Sequence, residues 1–192
     1  LVPFIDIAYQ GFDKGIEEDS AAIRLLAESG IANFMVASSY SKSFSLYGER
    51  TGALSVVCAD ADEARRVQSQ VKRLIRANYS SPPSHGAMLV SGVLNDPELK
   101  VMWEQELGEM RTRIHALRAG LVARLDAHGA GRFAFINGQA GMFSYSGLSR
   151  EQVDRLRDEF AIYAVGTGRI CVAALNDRNL DYVADAISKV AG

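Results

Sequence analysis

Two rhythms of apolar residues alternate along the chain. Short apolar runs bounded by polar or glycine-containing stretches predict strands at Leu1 to Ile7, Phe34 to Ala37 and Ala53 to Cys58. Between and after them the apolar spacing widens to three and four, which is helical. Ile23, Leu26 and Ala27 follow a cap at Asp19 or Ser20 and stop near Gly30; Ala64, Val67, Val71, Leu74 and Ile75 follow a cap at Asp60 or Asp62. Pro82-Pro83 cannot continue that second helix, and a third runs from His85 to Leu94. This succession of strands and helices is the pattern of an α/β fold.

Asp96 as N-cap with Pro97 at the first helical position opens a much longer pattern, Leu99, Trp103, Leu107, Met110, Ile114, Leu117, Leu121 and Leu125, which Gly129-Ala130-Gly131 closes. At ~1.5 Å per residue such a helix runs about 45–50 Å, longer than a small domain is wide. It is expected to bridge two domains, with Gly108 and Gly120 as places for a bend; two shorter packed helices are the alternative. A compact α/β unit follows. Strands are expected at Phe133 to Ile136, Met142 to Tyr145, Ile162 to Val165 and Ile170 to Ala173, with a capping box at Ser149-Arg150-Glu151-Gln152 and a last helix on Leu180, Val183, Ile187 and Val190.

Composition removes several classes of function. The chain has 192 residues, 48 % of them apolar and 23 % charged, with a net charge of −2. That balance gives no electrostatic case for nucleic acid or an anionic membrane surface, and no apolar run is long enough to span a bilayer. Cys58 and Cys171, far apart in strand-like runs, are expected to be buried and reduced, which points to the cytoplasm. His85, His115 and His128 have no partners at metal-ligand spacing, so no metal is expected. There is no G-x-S-x-G elbow, Walker loop or dinucleotide fingerprint.

The chemistry that remains lies in Ala37-Ser38-Ser39-Tyr40-Ser41-Lys42-Ser43-Phe44-Ser45-Leu46-Tyr47-Gly48-Glu49-Arg50, a loop at the carboxyl end of a predicted strand, where open α/β sheets bind ligands. A half-buried lysine loses part of its proton affinity and becomes a candidate Schiff-base amine. Ser39, Ser41 and Arg50 could hold a phosphate. Asp6, among apolar neighbours, needs a partner such as a protonated ring nitrogen, or else reaches solvent or a backbone amide. With Tyr9, these are the parts of a pyridoxal phosphate site.

The same residues carry a resemblance. Asp6-Ile7-Ala8-Tyr9-Gln10-Gly11-Phe12, Ser41 to Arg50, Asn78-Tyr79-Ser80-Ser81-Pro82-Pro83, Gly141-Met142-Phe143-Ser144 and Gly168-Arg169 resemble the fold-type I, class I aminotransferases, most closely the bacterial aromatic-amino-acid (tyrosine) branch beside the aspartate aminotransferases. The likeness is to the C-terminal half of such an enzyme. It implies part of a large-domain mixed sheet with helices in residues 1–108, and a small α/β C-terminal domain in 109–192. By resemblance, Lys42 forms the internal aldimine with pyridoxal 5'-phosphate and shuttles the proton at the substrate α-carbon. Asp6 pairs with the pyridine nitrogen, Tyr9 bonds the phenolic oxygen, and Ser39 and Arg50 hold the phosphate. Arg169 grips the substrate α-carboxylate, Phe143 lies near the substrate, and Arg76 reaches across a homodimer to a dicarboxylate side chain, moving aside for aromatic substrates.

The implied activity is amino transfer between an aromatic or acidic amino acid and a 2-oxo acid. The alternatives are a fragment that binds cofactor poorly, or another fold-type I activity such as a lyase or decarboxylase. The phosphate loop, the ring-stacking aromatic and the asparagine of the family's other half are not in this sequence, so exposed sheet edge and apolar surface are expected.

Overall fold

Strand β1 (Phe4–Ile7), helix α1 (Ala21–Glu28) and strand β2 (Phe34–Ser39) open the structure as a βαβ unit in which β1 and β2 are parallel. It is a computed structural model that describes residues 1–129 and 131–192. Strand β3 (Gly52–Val57) returns antiparallel to β2, giving a mixed three-stranded sheet of order β1-β2-β3. Helices α2 (Ala61–Asn78), α3 (His85–Asn95) and α4 (Pro97–Ala127) follow.

The helix ends obey their local chemistry. Asp60 caps α2 by accepting the Glu63 N–H at 2.7 Å, and Asp96 caps α4 by accepting the Glu98 and Leu99 N–H groups at 2.9 and 3.0 Å. The long pattern forms one continuous helix, and Gly129 just beyond it takes a φ of +76°, a left-handed value suited to glycine. Ala130, inside the predicted helix stop, lies outside the described residues.

The chain divides into two compact units, Leu1–Leu107 and Gly108–Gly192, with α4 contributing residues to both. Unit 1 buries one face of its sheet. By the alternation of strand side chains, Phe34 and Val36 share a face with Ile5 and Ile7, and both are buried; Phe4 and Leu54, on the other face, are 60 % and 55 % exposed. Helix α2 buries no residue, and an apolar groove of about 610 Å³ lies between it and β3, lined by Leu54, Val56, Val67, Val71 and Ile75.

Unit 2 contains strands β4 (Phe143–Tyr145) and β5 (Arg169–Cys171), which form an antiparallel pair, and helices α5 (Arg150–Phe160) and α6 (Leu180–Ala191). Its core is closed: Leu121 and Leu125 of α4, Leu156 of α5 and Ala184 and Ile187 of α6 are almost entirely removed from solvent. The predicted capping box of α5 forms, Ser149 accepting the Gln152 N–H while the Gln152 side chain accepts the Ser149 N–H. Among the described residues, no helix is long and apolar enough to cross a membrane.

Three expectations are corrected. Residues Gly131–Gly138 form a 3-10 helix where a strand was expected at Phe133 to Ile136. Phe133 and Ile136, three apart, are both buried, whereas Phe135, which a strand would align with Phe133, is 46 % exposed. Ile162 to Val165 joins no strand ladder among the described residues. It leaves α5 through Ala161 at φ 53°, and its last residue donates to the Arg169 carbonyl across a turn. Cys171 is exposed and Cys58 half-buried, because a two-stranded ribbon and an edge strand cannot enclose both faces; both thiols are free.

Candidate functional site

Parallel strands deliver their carboxyl ends to the same edge of a sheet, and an antiparallel neighbour starts there. Here β1 ends two residues before Tyr9, β2 ends at Ser39 three residues before Lys42, and β3 begins at Gly52, paired with Ser39 and two residues after Arg50. The pairing therefore brings Tyr9, Ser39, Lys42 and Arg50 from three segments to one edge. Lys42 is half-buried, and its Nζ lies 4.9 Å from the centre of the Tyr9 ring, an arrangement in which the ring face attracts the ammonium.

The loop after β2 is closed by its own backbone. Tyr40 donates to the Thr51 carbonyl at 3.1 Å, Phe44 to Tyr40 at 3.1 Å and Ser45 to Lys42 at 3.2 Å. Ser39 Oγ accepts the Ser41 N–H at 3.3 Å. Arg50 is exposed, holds a positive φ of 52°, and donates from Nη1 to the Tyr47 carbonyl at 3.0 Å. A hydroxyl, a guanidinium and an amine at one sheet edge fit a phosphate-bearing aldehyde, the donor set that pyridoxal phosphate requires.

Of the two settings open to Asp6, the structure shows the one that reaches solvent. In register with Ala37 and on the same face as Ser39, it is exposed, because β1 is an edge strand with no outer neighbour among the described residues, and α2 lies over the β3 end of that face. Its free carboxylate remains available to a cationic ring nitrogen.

Asp19, expected as a helix cap, instead organises the loop carrying Tyr9. Its Oδ2 accepts the N–H groups of Gly11 and Asp13 at 2.8 and 3.1 Å, and its Oδ1 those of Lys14 and Gly15 at 2.9 and 3.4 Å. Partial burial pushes this carboxyl up, but the four backbone donors together outweigh it and hold it below its ordinary value.

In unit 2, Arg169 and Phe143 come together on the β4–β5 ribbon, the guanidinium carbon 4.9 Å from the ring centre. The turn before Arg169 depends on Gly168, whose φ is +83° and where an added Cβ would come 2.8 Å from the Leu148 carbonyl. Arg118 of α4, which sequence reasoning missed, is buried; its Nε donates to Ser144 Oγ at 3.2 Å and its Nη2 to the Gly141 carbonyl, fixing the segment on which Phe143 stands. Arg76 sits in the last turn of α2, exposed, donating to Ser80 Oγ. Among the described residues, no group of three or more His, Cys, Asp or Glu side chains could hold a metal ion.

Comparison with known proteins covers nearly the whole chain. The family model for aminotransferase class I and II matches residues 1–187. An aspartate aminotransferase of Pseudomonas aeruginosa is 65 % identical over 190 residues, 98 % of this chain and 48 % of the relative. An aromatic-amino-acid aminotransferase of Escherichia coli is 54 % identical over 191 residues, 99 % of this chain and 48 % of the relative. Among solved structures, an aromatic-amino-acid aminotransferase from Burkholderia pseudomallei, covalently bound to pyridoxal phosphate, superposes with a TM-score of 0.96 at 65 % identity, covering 99 % of this chain and 48 % of that one. The chain thus spans about half the length of the curated relatives it matches.

Proposed function

The chain belongs to the class I and II aminotransferase family, and from that premise we propose that it supplies the C-terminal half of a pyridoxal phosphate-dependent aminotransferase acting between an aromatic or acidic amino acid and a 2-oxo acid. The observation that carries the reading is the convergence of Tyr9, Ser39, Lys42 and Arg50 on one sheet edge, with Asp6 on the neighbouring strand. When bound, pyridoxal phosphate supplies an aldehyde and an electron-withdrawing ring.

Lys42 would hold the cofactor through its amine, and the same amine, when free, would move the proton at the substrate α-carbon. Ser39 donates its hydroxyl to the phosphate and Arg50 pairs with it in two-pronged fashion. Asp6 accepts the ring N–H and keeps that nitrogen charged; Tyr9 donates its O–H to the phenolic oxygen. Arg169 binds the substrate α-carboxylate, with Phe143 against its guanidinium narrowing the directions it can take. Arg76 serves the side-chain carboxylate of a dicarboxylic substrate in a partner subunit of a homodimer. In this reading residues 1–108 complete the cofactor-binding domain and 109–192 form the small domain.

The decisive experiment joins the 192-residue chain to the N-terminal half of the Pseudomonas aeruginosa relative and supplies tyrosine or aspartate with 2-oxoglutarate. Glutamate formation supports transamination, whereas release of carbon dioxide or ammonia without it supports a decarboxylase or lyase. A second reading, that the chain alone is inactive and associates through its open face, is favoured by Phe4, Leu54 and Leu74, exposed at 60 %, 55 % and 69 %. Sizing the chain alone, then mixing it with the separate N-terminal half and testing for activity, separates the two.

A further inference from the structure

Beyond the sheet, the turn that carries Lys42 is held by short-range hydrogen bonds, Ser41 to Ser39 Oγ, Phe44 to Tyr40 and Ser45 to Lys42, and Ser45 sits at a φ of 54°. One side chain from a distant element closes it. Trp103, in the second turn of α4, donates from Nε1 to the Ser43 carbonyl at 2.6 Å. Its ring stacks on Phe44 with centres 4.5 Å apart and planes 18° from parallel, and Phe44 in turn meets the Tyr40 ring edge-on at 5.6 Å and 88°. Residues 40, 43 and 44, on both sides of Lys42, are thus tied to one indole.

Beside this contact lies a cavity of about 230 Å³, lined among others by Ser39, Tyr40, Ser43, Phe44 and Trp103. The turn therefore has space to relax into if the indole releases it, and tight packing alone does not fix it. Phe44, two residues from Lys42, projects toward α4, while the Lys42 amine lies over Tyr9.

We propose that Trp103 is a positioning residue for Lys42, its indole N–H and ring setting the height and direction of the amine from the far side of the turn. The proposal rests on the reading that Lys42 carries the cofactor. A displacement of about 1 Å at a reacting group costs up to about a hundredfold in rate, so a residue that never touches substrate can control the step through this turn.

The test is made on the fused, cofactor-loaded polypeptide. Trp103→Phe keeps an aromatic ring and removes the donor. The expected result is a fall in kcat of about tenfold with KM for both substrates within about twofold. The pH midpoint of the cofactor's visible absorbance should shift as well, because that midpoint reports the setting of the lysine. If kcat and the absorbance midpoint both stay at wild-type values, Trp103 only packs and the proposal is overturned, whatever the melting temperature does. Should Trp103→Phe not fold, Phe44→Leu decides by the same readouts: lower kcat at unchanged KM supports the proposal, and unchanged kcat and midpoint overturn it. Failure of the underlying reading looks different, since it leaves Lys42→Ala active and still able to take up the cofactor at wild-type stoichiometry.

Discussion

Unit 2 is a finished structure and unit 1 is not. Among the described residues, unit 2 buries eighteen apolar side chains and leaves five large ones exposed, while unit 1 buries five and exposes seventeen. The composition does not cause this, since unit 1 has ample apolar residues. Among the described residues, the Phe4 and Leu54 face of its sheet stays open and α2, facing β3 across an apolar groove, buries no residue. Chemistry follows the opposite order. The open unit holds Lys42, Ser39, Arg50 and Asp6, the residues proposed to hold the cofactor, and the closed unit holds Arg169 stacked on Phe143 on a ribbon. A cofactor site of the kind proposed for the sheet edge needs cover, whereas the carboxylate grip proposed for Arg169 needs only a stiff turn.

The largest expected effect breaks the chemistry and leaves the fold alone. Lys42→Ala in the fused polypeptide should lower transamination by at least about three orders of magnitude, because the proposal gives Lys42 both the attachment of the cofactor and the proton transfer. Steady-state assay with either amino acid checks it. Next in size is the contrast between the units. Leu156→Ala should destabilise unit 2 by about 2–5 kcal/mol in denaturant unfolding. Leu54→Ala in the isolated chain should cost no more than about 0.5 kcal/mol, and should become costly once the N-terminal half is present. Equal costs in the isolated chain would show that the Leu54 face is already covered.

Asp19 gives a pH dependence. Its folded pKa is depressed below the ordinary 3.8, so it adds stability that is present above that value and is lost as pH falls through the folded value. Asp19→Asn should therefore weaken unit 1 at neutral pH and flatten its acid unfolding limb below about pH 4. Acid titration followed by circular dichroism reads both. The smallest effect is local: Ser149→Ala removes the acceptor of the α5 capping box and should cost about 1 kcal/mol, confined to unit 2.

Much of this was legible in the sequence because it follows from short-range rules. The strand running from Phe34 into small hydroxyl residues, the caps at Asp60, Asp96 and Ser149, and the long helix closed near Gly129 each depend on a few neighbouring residues. The loop after β2 was readable as a candidate site for the same reason. What was not legible depends on partners remote in the chain. Trp103 meets Ser43 across sixty residues, and its place in the apolar repeat of α4 looks like ordinary core. Arg118 reads as a solvated helix charge until the Gly141 to Ser144 segment folds over it. The apolar run Phe133 to Ile136 suits a strand or a 3-10 helix equally, and only burial at a spacing of three separates them. For Asp6, among apolar neighbours in the sequence, pairing and solvent exposure stayed equally open, because burial on an edge strand depends on what packs over it.

The central claim is that Lys42, one of five lysines in the chain, is the attachment point of the cofactor. Loading the fused polypeptide with pyridoxal phosphate, reducing with borohydride and mapping peptides by mass tests it directly. The account predicts one pyridoxyl group per chain, on the peptide containing Lys42, and no stoichiometric label in Lys42→Ala. A label spread over Lys14, Lys72, Lys100 and Lys189, or one that persists undiminished in the variant, would contradict it.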